Sequence, residues 1–281
     1  GRPDSEAPEL ATAAALPYPA ISTSSRPQPM GHPGAGRKKA VLLTLDQRIG
    51  DPQALAQVAL AHASNGAKVL VVRNTHREAV ATAEALLAAA PDHPAIFRYN
   101  RVPTLHHGRF AREDRALLDA EIERQIGRTR PSGGLILIGT QTLEQSLDID
   151  ADLIITDLSP ADVLLQRLGR LHRHTREDRP VGYATPRAIV LCPDDLAPLL
   201  TRGRHGLGGK HGPYRDLVGL EATRRLIQQY PEWVIPDMNR DLVERATHPE
   251  ALEALTCELE VADPKWRDAR QRIEGAGMSE V

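Results

Sequence analysis

The sequence predicts an α/β protein built on a parallel sheet with helices on both faces. Two observations carry that prediction. Short β-rich runs alternate with helical patterns from Arg37 to about Cys192, and such alternation implies right-handed crossovers between parallel strands. Runs such as Ala67 to Asn74 (AKVLVVRN) and Leu135 to Gly139 (LILIG) are also continuously apolar, as strands covered on both faces are.

The elements follow in order. Residues 1–36 hold seven of the 22 prolines and no helical or strand period, so they are expected to form a disordered linker. Lys39 to Asp46 (KAVLLTLD) reads as the first strand. A helix from Asp51 to Asn65 is bracketed by Asp51 as N-cap, Pro52 at its first position and Gly66 past its end. After the Ala67–Asn74 strand, Thr75 and Glu78 have capping-box spacing at the start of a second helix, which Pro91 stops. Further strands are expected at Val102–His106, Leu135–Gly139, Leu153–Asp157 and Ala188–Cys192. Beyond Pro193 the pattern weakens into a Gly-rich loop and helical stretches near Glu221–Gln229 and Asp237–Ala254. The expected division is therefore 1–36 linker, 37–195 α/β domain and 196–281 partial helical C-terminal region.

Bulk properties narrow the function classes. Of 281 residues, 41% are hydrophobic and 26% charged, and the net charge of −2 supplies no global field for nucleic acid, so any such site is a local patch. Two cysteines, Cys192 and Cys257, are too few for a disulfide framework or a four-thiolate zinc site. A cytoplasmic location is expected. The apolar runs are strand-sized, well short of the ~18 residues a membrane span requires, so no membrane partner is expected. The chain begins with Gly1 rather than Met, as a processed chain or a piece of a longer one would.

Ligands of open α/β sheets sit at the carboxyl ends of strands, and two segments stand out there. The loop Gly139 to Asp150 offers hydroxyls, amides and carboxylates suited to phosphate and ribose; taken alone it is equally a polar loop with an N-cap. In Pro160 to His174 (PADVLLQRLGRLHRH), helical spacing puts Leu164, Leu168 and Leu171 on one face and Gln166, Arg170 and Arg173 on the other. Guanidinium groups three residues apart suit a polyphosphate, yet with 30 arginines against five lysines they equally suit a solvated face. The histidine pairs His106-His107 and His172-x-His174 have no cysteine nearby and argue weakly for metal.

In combination the strings decide between these readings. GTQTLEQSLDID, LIITD and QRLGRLHR resemble motifs V and VI of superfamily 2 helicases, and Thr142 to His174 is similar to the helicase portion of the CRISPR-associated helicase-nuclease of type I interference systems. VVRNTH at Val71 to His76, LHHGRFAREDR at Leu105 to Arg115 and IPDMNRDLVERATHPEAL from Ile235 fit the same order. The resemblance implies a second RecA-like motor domain, with ATP as nucleotide, Arg170 and Arg173 as arginine fingers, Gln166 on the same phosphates and Asp148 on the ribose. It leaves Arg167 as a structural residue or ionic tether, and Glu144 as a brace for the loop. Thr140 and Gln141 would touch the nucleic-acid backbone, joined by Arg73, Asn74 and Thr75 at a helix start and by His107, Gly108 and Arg109.

The G-x-x-x-x-G-K-[ST] phosphate loop, the Asp-Glu metal box and the His-Asp nuclease signature are absent from the sequence. By itself the chain is therefore expected to be inactive, with Mg2+ ligands coming from a first motor domain in cis or trans. The implied partners are that domain, single-stranded DNA and a guide-RNA surveillance complex. The rival readings are a non-catalytic nucleic-acid-binding module and another superfamily 2 member acting in repair or RNA metabolism.

Overall fold

The computed structural model describes residues 9–15, 20–21, 28–29, 38–144, 147–201 and 212–279. Most of the expected linker, the residues Gln145 and Ser146 of the first motif loop, and nearly all of the Gly-rich loop lie outside them. Within 1–36 the described residues form a helical turn, Leu10–Ala15, and a pairing of Ala20–Ile21 with Gln28–Pro29.

Six strands form one sheet: β1 (Lys39–Asp46), β2 (Lys68–Val72), β3 (Leu135–Gly139), β4 (Leu153–Asp157), β5 (Arg187–Leu191) and β6 (Glu232–Ile235). Their order is β6-β1-β5-β4-β2-β3, parallel except for β6, which runs antiparallel to β1. Every residue of β2, β3 and β4 is buried, which is why these strands read as largely apolar runs. Their alternate side chains enter two cores. Val69, Val71, Ile136, Ile138 and Ile155 pack on one face against the helices α1 (Pro52–Ser64) and α2 (His76–Ala89). Leu70, Val72, Leu137 and Ile154 pack on the other face against Ile122 of α3 (Arg112–Ile126) and Leu164 of α4 (Ala161–Leu168).

The expected caps are present. Asp51 accepts the Ala54 amide at 2.9 Å, Gly66 follows α1 at φ +85°, and Thr75 accepts the Glu78 amide at 3.2 Å. The Glu78 carboxylate does not reach back to the Thr75 amide; it accepts from the Thr75 hydroxyl at 2.8 Å.

Three expectations need correction. Val102–His106 is not one strand: Val102–Pro103 pairs with Arg98–Tyr99, and His106 makes an isolated bridge to Gly139. The region after 195 is not purely helical. Between α5 (Leu217–Gln229) and α6 (Asn239–Thr247), β6 joins the sheet and buries Trp233, and these elements share a core with the sheet, together with Trp266 of α8 (Lys265–Ser279), which follows α7 (Pro249–Glu260). Finally, α4 ends at Leu168 rather than running to His174. Leu171 remains buried because it pairs with Ala151, and His172 takes φ +44°.

That early end relocates the arginine motif. The helix leaves the carboxyl end of β4 and runs back to the opposite edge, where Lys39, the first residue of β1, donates to the carbonyls of Leu168 at 2.8 Å and Leu171. Arg170 and Arg173 thus lie at the amino edge of the sheet, whereas Thr140 and Gln141 lie at the carboxyl edge.

Close packing at the head of the motif loop explains its glycine. A Cβ at Gly139 would lie 2.5 Å from the His106 carbonyl oxygen and 2.5 Å from Leu143 Cδ1, and backbone cannot yield as a flexible side chain can. Gly139→Ala is expected to destabilise the chain by about 3 kcal/mol, toward the upper end of common single-site effects. Denaturant titration measures it; an unchanged midpoint would refute the contact.

Candidate functional site

The adjacent strands β2 and β4 pair Val72 with Thr156, so the residues just past them, Arg73 and Asp157, meet. Arg73 Nε donates to Asp157 Oδ1 at 2.8 Å, and its remaining nitrogens reach Thr82 Oγ1 (2.8 Å) and the Ile49 carbonyl (2.7 Å). The other Asp157 oxygen accepts the Asn74 amide at 2.7 Å. Both charged groups are buried, where such a pair requires full hydrogen bonding to be tolerated.

Arg167 is equally buried and even more connected. Its guanidinium donates to Glu144 Oε1 (2.7 Å), Thr156 Oγ1 (2.7 Å), the Asp157 carbonyl (2.9 Å), Asn74 Oδ1 (3.1 Å) and the Tyr214 hydroxyl (3.2 Å). Of the two roles left open for Arg167, this geometry is the structural one, and Glu144 braces the loop by accepting from it. The same geometry occupies Arg73 and the Asn74 side chain, both expected at the nucleic-acid backbone, with partners inside the protein. Asn74 Nδ2 donates to the Leu158 carbonyl at 2.9 Å, so both side chains are satisfied inside the protein. Thr75 caps α2 at the boundary with solvent; burial and the neighbouring Asp157 carboxylate push the Glu78 carboxyl upward.

At the carboxyl edge, Gln141 Nε2 donates to the Asn74 carbonyl at 2.8 Å, and the Thr140 amide donates to the His106 carbonyl. His106, one of the histidines weighed for metal, is buried between Thr142 Oγ1 and Asp119 Oδ1, each at 2.7 Å. Its neighbour His107 stacks on Phe110 with ring centroids 4.5 Å apart and meets His76 edge to face. Burial, followed by His76, lowers the His107 pKa. Gly108 and Arg109 are exposed beside it. Thr140, Gln141, Thr75 and the His107–Arg109 loop therefore border one edge.

The amino edge gathers Asp148, Arg170 and Arg173, with Gln166 exposed on the last turn of α4. Arg170 grips the motif loop, donating to the Glu144 carbonyl at 2.6 Å and to the Leu147 carbonyl. Desolvation and the nearby Arg173 lower its pKa. Arg173 Nε lies 2.7 Å from Asp148 Oδ1, and His174 Nε2 lies 2.9 Å from both Asp148 oxygens. With side chains 42% and 39% exposed, the Arg173–Asp148 pair contributes about 1 kcal/mol or less.

Sequence reasoning missed a third cluster beneath this edge. Asp150 and Asp152, buried just before β4, pair with Arg179 (2.8 and 2.6 Å) and, for Asp152, with Arg130 (2.6 Å). The alternating acids of DIDAD were the available signal; their partners lie 22 to 29 residues away and have no local signature. Among the described residues no group of three or more His, Cys, Asp or Glu is placed to hold a metal, and no helix is long and apolar enough to cross a membrane.

A family model for the C-terminal part of the CRISPR-associated nuclease/helicase Cas3 matches residues 65–176. That segment is similar to the C-terminal helicase region of Cas3 proteins. The endonuclease/helicase Cas3 of Escherichia coli (strain K12) is 47% identical over 165 residues, covering 58% of this chain and 17% of that protein. The Thermus thermophilus relative is 48% identical over 93 residues, covering 33% and 10% respectively. The chain thus matches less than a fifth of these relatives' length. The crystal structure of T. fusca Cas3-ADP superposes with a TM-score of 0.62 at 26% identity, covering 84% of this chain and 27% of that one. The fold is accordingly RecA-like, and the motif loop and α4 are the elements that carry the candidate residues.

Two outcomes follow from the buried groups. Arg167→Ala leaves the Glu144 carboxylate without its cation and is expected to cost about 3 to 5 kcal/mol, readable by thermal or denaturant unfolding; a loss below about 1 kcal/mol contradicts the hub. The His172 pKa is lowered to about 4 by burial and then by Arg179. Between that value and the ordinary 6.5 the unfolded chain binds a proton that the folded chain does not, so stability falls as pH drops through this window. His172→Asn, which tolerates the left-handed backbone, should flatten that part of the stability profile; an unchanged slope would assign it to other groups.

Proposed function

We propose that this chain supplies the second motor domain of an ATP-dependent single-stranded DNA translocase and helicase acting in CRISPR antiviral interference. The observation that carries the reading is the span of one loop. From Gly139 to Asp150 it begins beside the exposed His107–Arg109 loop at the carboxyl edge and ends against Arg170 and Arg173 at the amino edge. Strand contact and nucleotide contact are thereby joined covalently within a dozen residues. The T. fusca relative is a Cas3-ADP structure, which supports an adenine nucleotide as the ligand of the amino edge.

In this reading Arg173 leaves Asp148 when nucleotide arrives. The guanidinium turns to the terminal phosphate, and the carboxylate accepts from the ribose hydroxyl. Arg170 approaches the phosphates from its seat on the loop, and Gln166 contacts them from α4. Phosphoryl transfer is mostly positioning and charge neutralisation, so a site divided between two domains acts when they close. The first RecA-like domain, in cis or trans, supplies the phosphate loop and the Mg2+ ligands, and the chain alone is inactive. Thr140, Gln141, Thr75, His107, Gly108 and Arg109 contact the strand backbone with little sequence preference. The partner that delivers the DNA is a guide-RNA surveillance complex, by analogy with the CRISPR-associated relatives.

A second reading is favoured by one observation: the Arg170 guanidinium already serves the carbonyls of Glu144 and Leu147, as it would in a non-catalytic nucleic-acid-binding module. DNA-stimulated ATP hydrolysis by this chain mixed with a separately expressed first motor domain separates the two. For the motor, Arg173→Ala and Arg170→Ala each lower the rate by roughly 10³-fold or more with strand affinity retained. Loss of strand affinity without loss of hydrolysis would favour the module.

A further inference from the structure

Four polar residues cluster at the carboxyl edge. Arg167 donates to Asn74 Oδ1 (3.1 Å) and to the Tyr214 hydroxyl (3.2 Å), and Gln141 donates to the Asn74 backbone carbonyl (2.8 Å). Three members come from β2, the motif loop and α4. The fourth, Tyr214, lies 47 residues beyond Arg167, two residues before the Asp216 cap of α5. Its ring packs under the guanidinium, with Arg167 Cζ 6.0 Å from the centroid, a cation–π geometry. The sequence motifs contain no hint of this residue.

The inference rests on the motor reading above. We propose that Tyr214 is a positioning residue for the strand-sensing end of the motif loop, holding Gln141 against the Arg167 hub so that strand contact at Thr140 and Gln141 is transmitted toward Glu144 and Arg170. The chain of contacts is continuous. Gln141 is fixed on the Asn74 carbonyl; Asn74 Oδ1 and the Tyr214 hydroxyl are both held by Arg167, so Tyr214 acts on Gln141 through that hub; Arg167 holds the Glu144 carboxylate, and Arg170 holds the Glu144 carbonyl. The region following the parallel sheet thereby contributes a side chain to the working loop, in addition to its packing on the core.

Tyr214→Phe removes the hydroxyl and keeps the ring beneath Arg167. In the full chain combined with a first motor domain, it is expected to raise the single-strand concentration giving half-maximal stimulation of ATP hydrolysis roughly three- to tenfold, the range of one hydrogen bond, while kcat at saturating strand holds. A purely structural role would lower kcat and thermal stability together and leave the half-maximal concentration in place. Strand affinity without nucleotide supplies a second arm: Tyr214→Phe combined with Gln141→Ala should bind no more weakly than Gln141→Ala alone. Additive losses, or a wild-type half-maximal concentration in Tyr214→Phe, overturn the proposal. If wild-type mixtures show no strand-stimulated hydrolysis, the motor reading fails by itself, and the affinity cycle still decides whether Tyr214 positions Gln141.

Discussion

A guanidinium without solvent has to be answered on every side, and the site is organised around that demand at Arg167. Its fork draws in the carbonyl and hydroxyl at the end of β4, the amide side chain after β2, a carboxylate from the motif loop and a phenol from beyond the sheet. A lysine could not serve: one ammonium cannot span acceptors spread around a planar fork of donors. Arg73 repeats the arrangement one strand away with Asp157. Together the two buried arginines fix where the strand ends lie relative to the loop that carries the candidate residues.

The two edges of the sheet therefore have different characters. At the carboxyl edge, the Gln141 amide and the His107 imidazole are half-buried over a rigid base, the Thr140 hydroxyl is buried in it, and Gly108 and Arg109 are exposed. At the amino edge, opposite charges are placed close together and partly exposed at Arg173–Asp148, beside the largely buried pairs of Asp150 and Asp152 with arginine. Weak ion pairs over strong ones make an edge that can rearrange its outer layer without disturbing the sheet. Arg170 sits between the layers, half-buried, with its hydrogen bonds directed to backbone.

Much of the sheet was legible because burial on both faces leaves few polar positions: β3 is wholly apolar, and β2 and β4 are apolar apart from Lys68 at the start of one and Thr156 and Asp157 at the end of the other. The caps at Asp51 and Thr75 were legible for a local reason, since an N-cap and the amide it accepts lie three residues apart. The end of α4 was hidden because Leu171 keeps the helical spacing of Leu164 and Leu168 yet is buried by a bridge to Ala151. Spacing reports burial and not the route by which burial is reached. Arg73 is expected at the strand backbone from its place where a strand end meets a helix start, and its buried pairing was not legible because Asp157 is 84 residues away in the chain. Tyr214 and Arg179 share that difficulty, since long-range partners leave no mark in a window of sequence. The place of Asp148, Arg170 and Arg173 at the amino edge required the fold.

The antiparallel strand β6 bears on where this polypeptide can be divided. Glu232–Ile235 pairs with β1 along Leu42 to Lys39 and covers it with Trp233. A cut after the parallel sheet would leave β1 with a row of unpaired amides and carbonyls beside the apolar Leu42, the kind of border that recruits a strand from another molecule. The sheet edge thus sets a lower limit on the size of a well-behaved fragment of this chain: it has to include the strand that seals it, and the length of chain from Cys192 to Pro231 that leads to that strand.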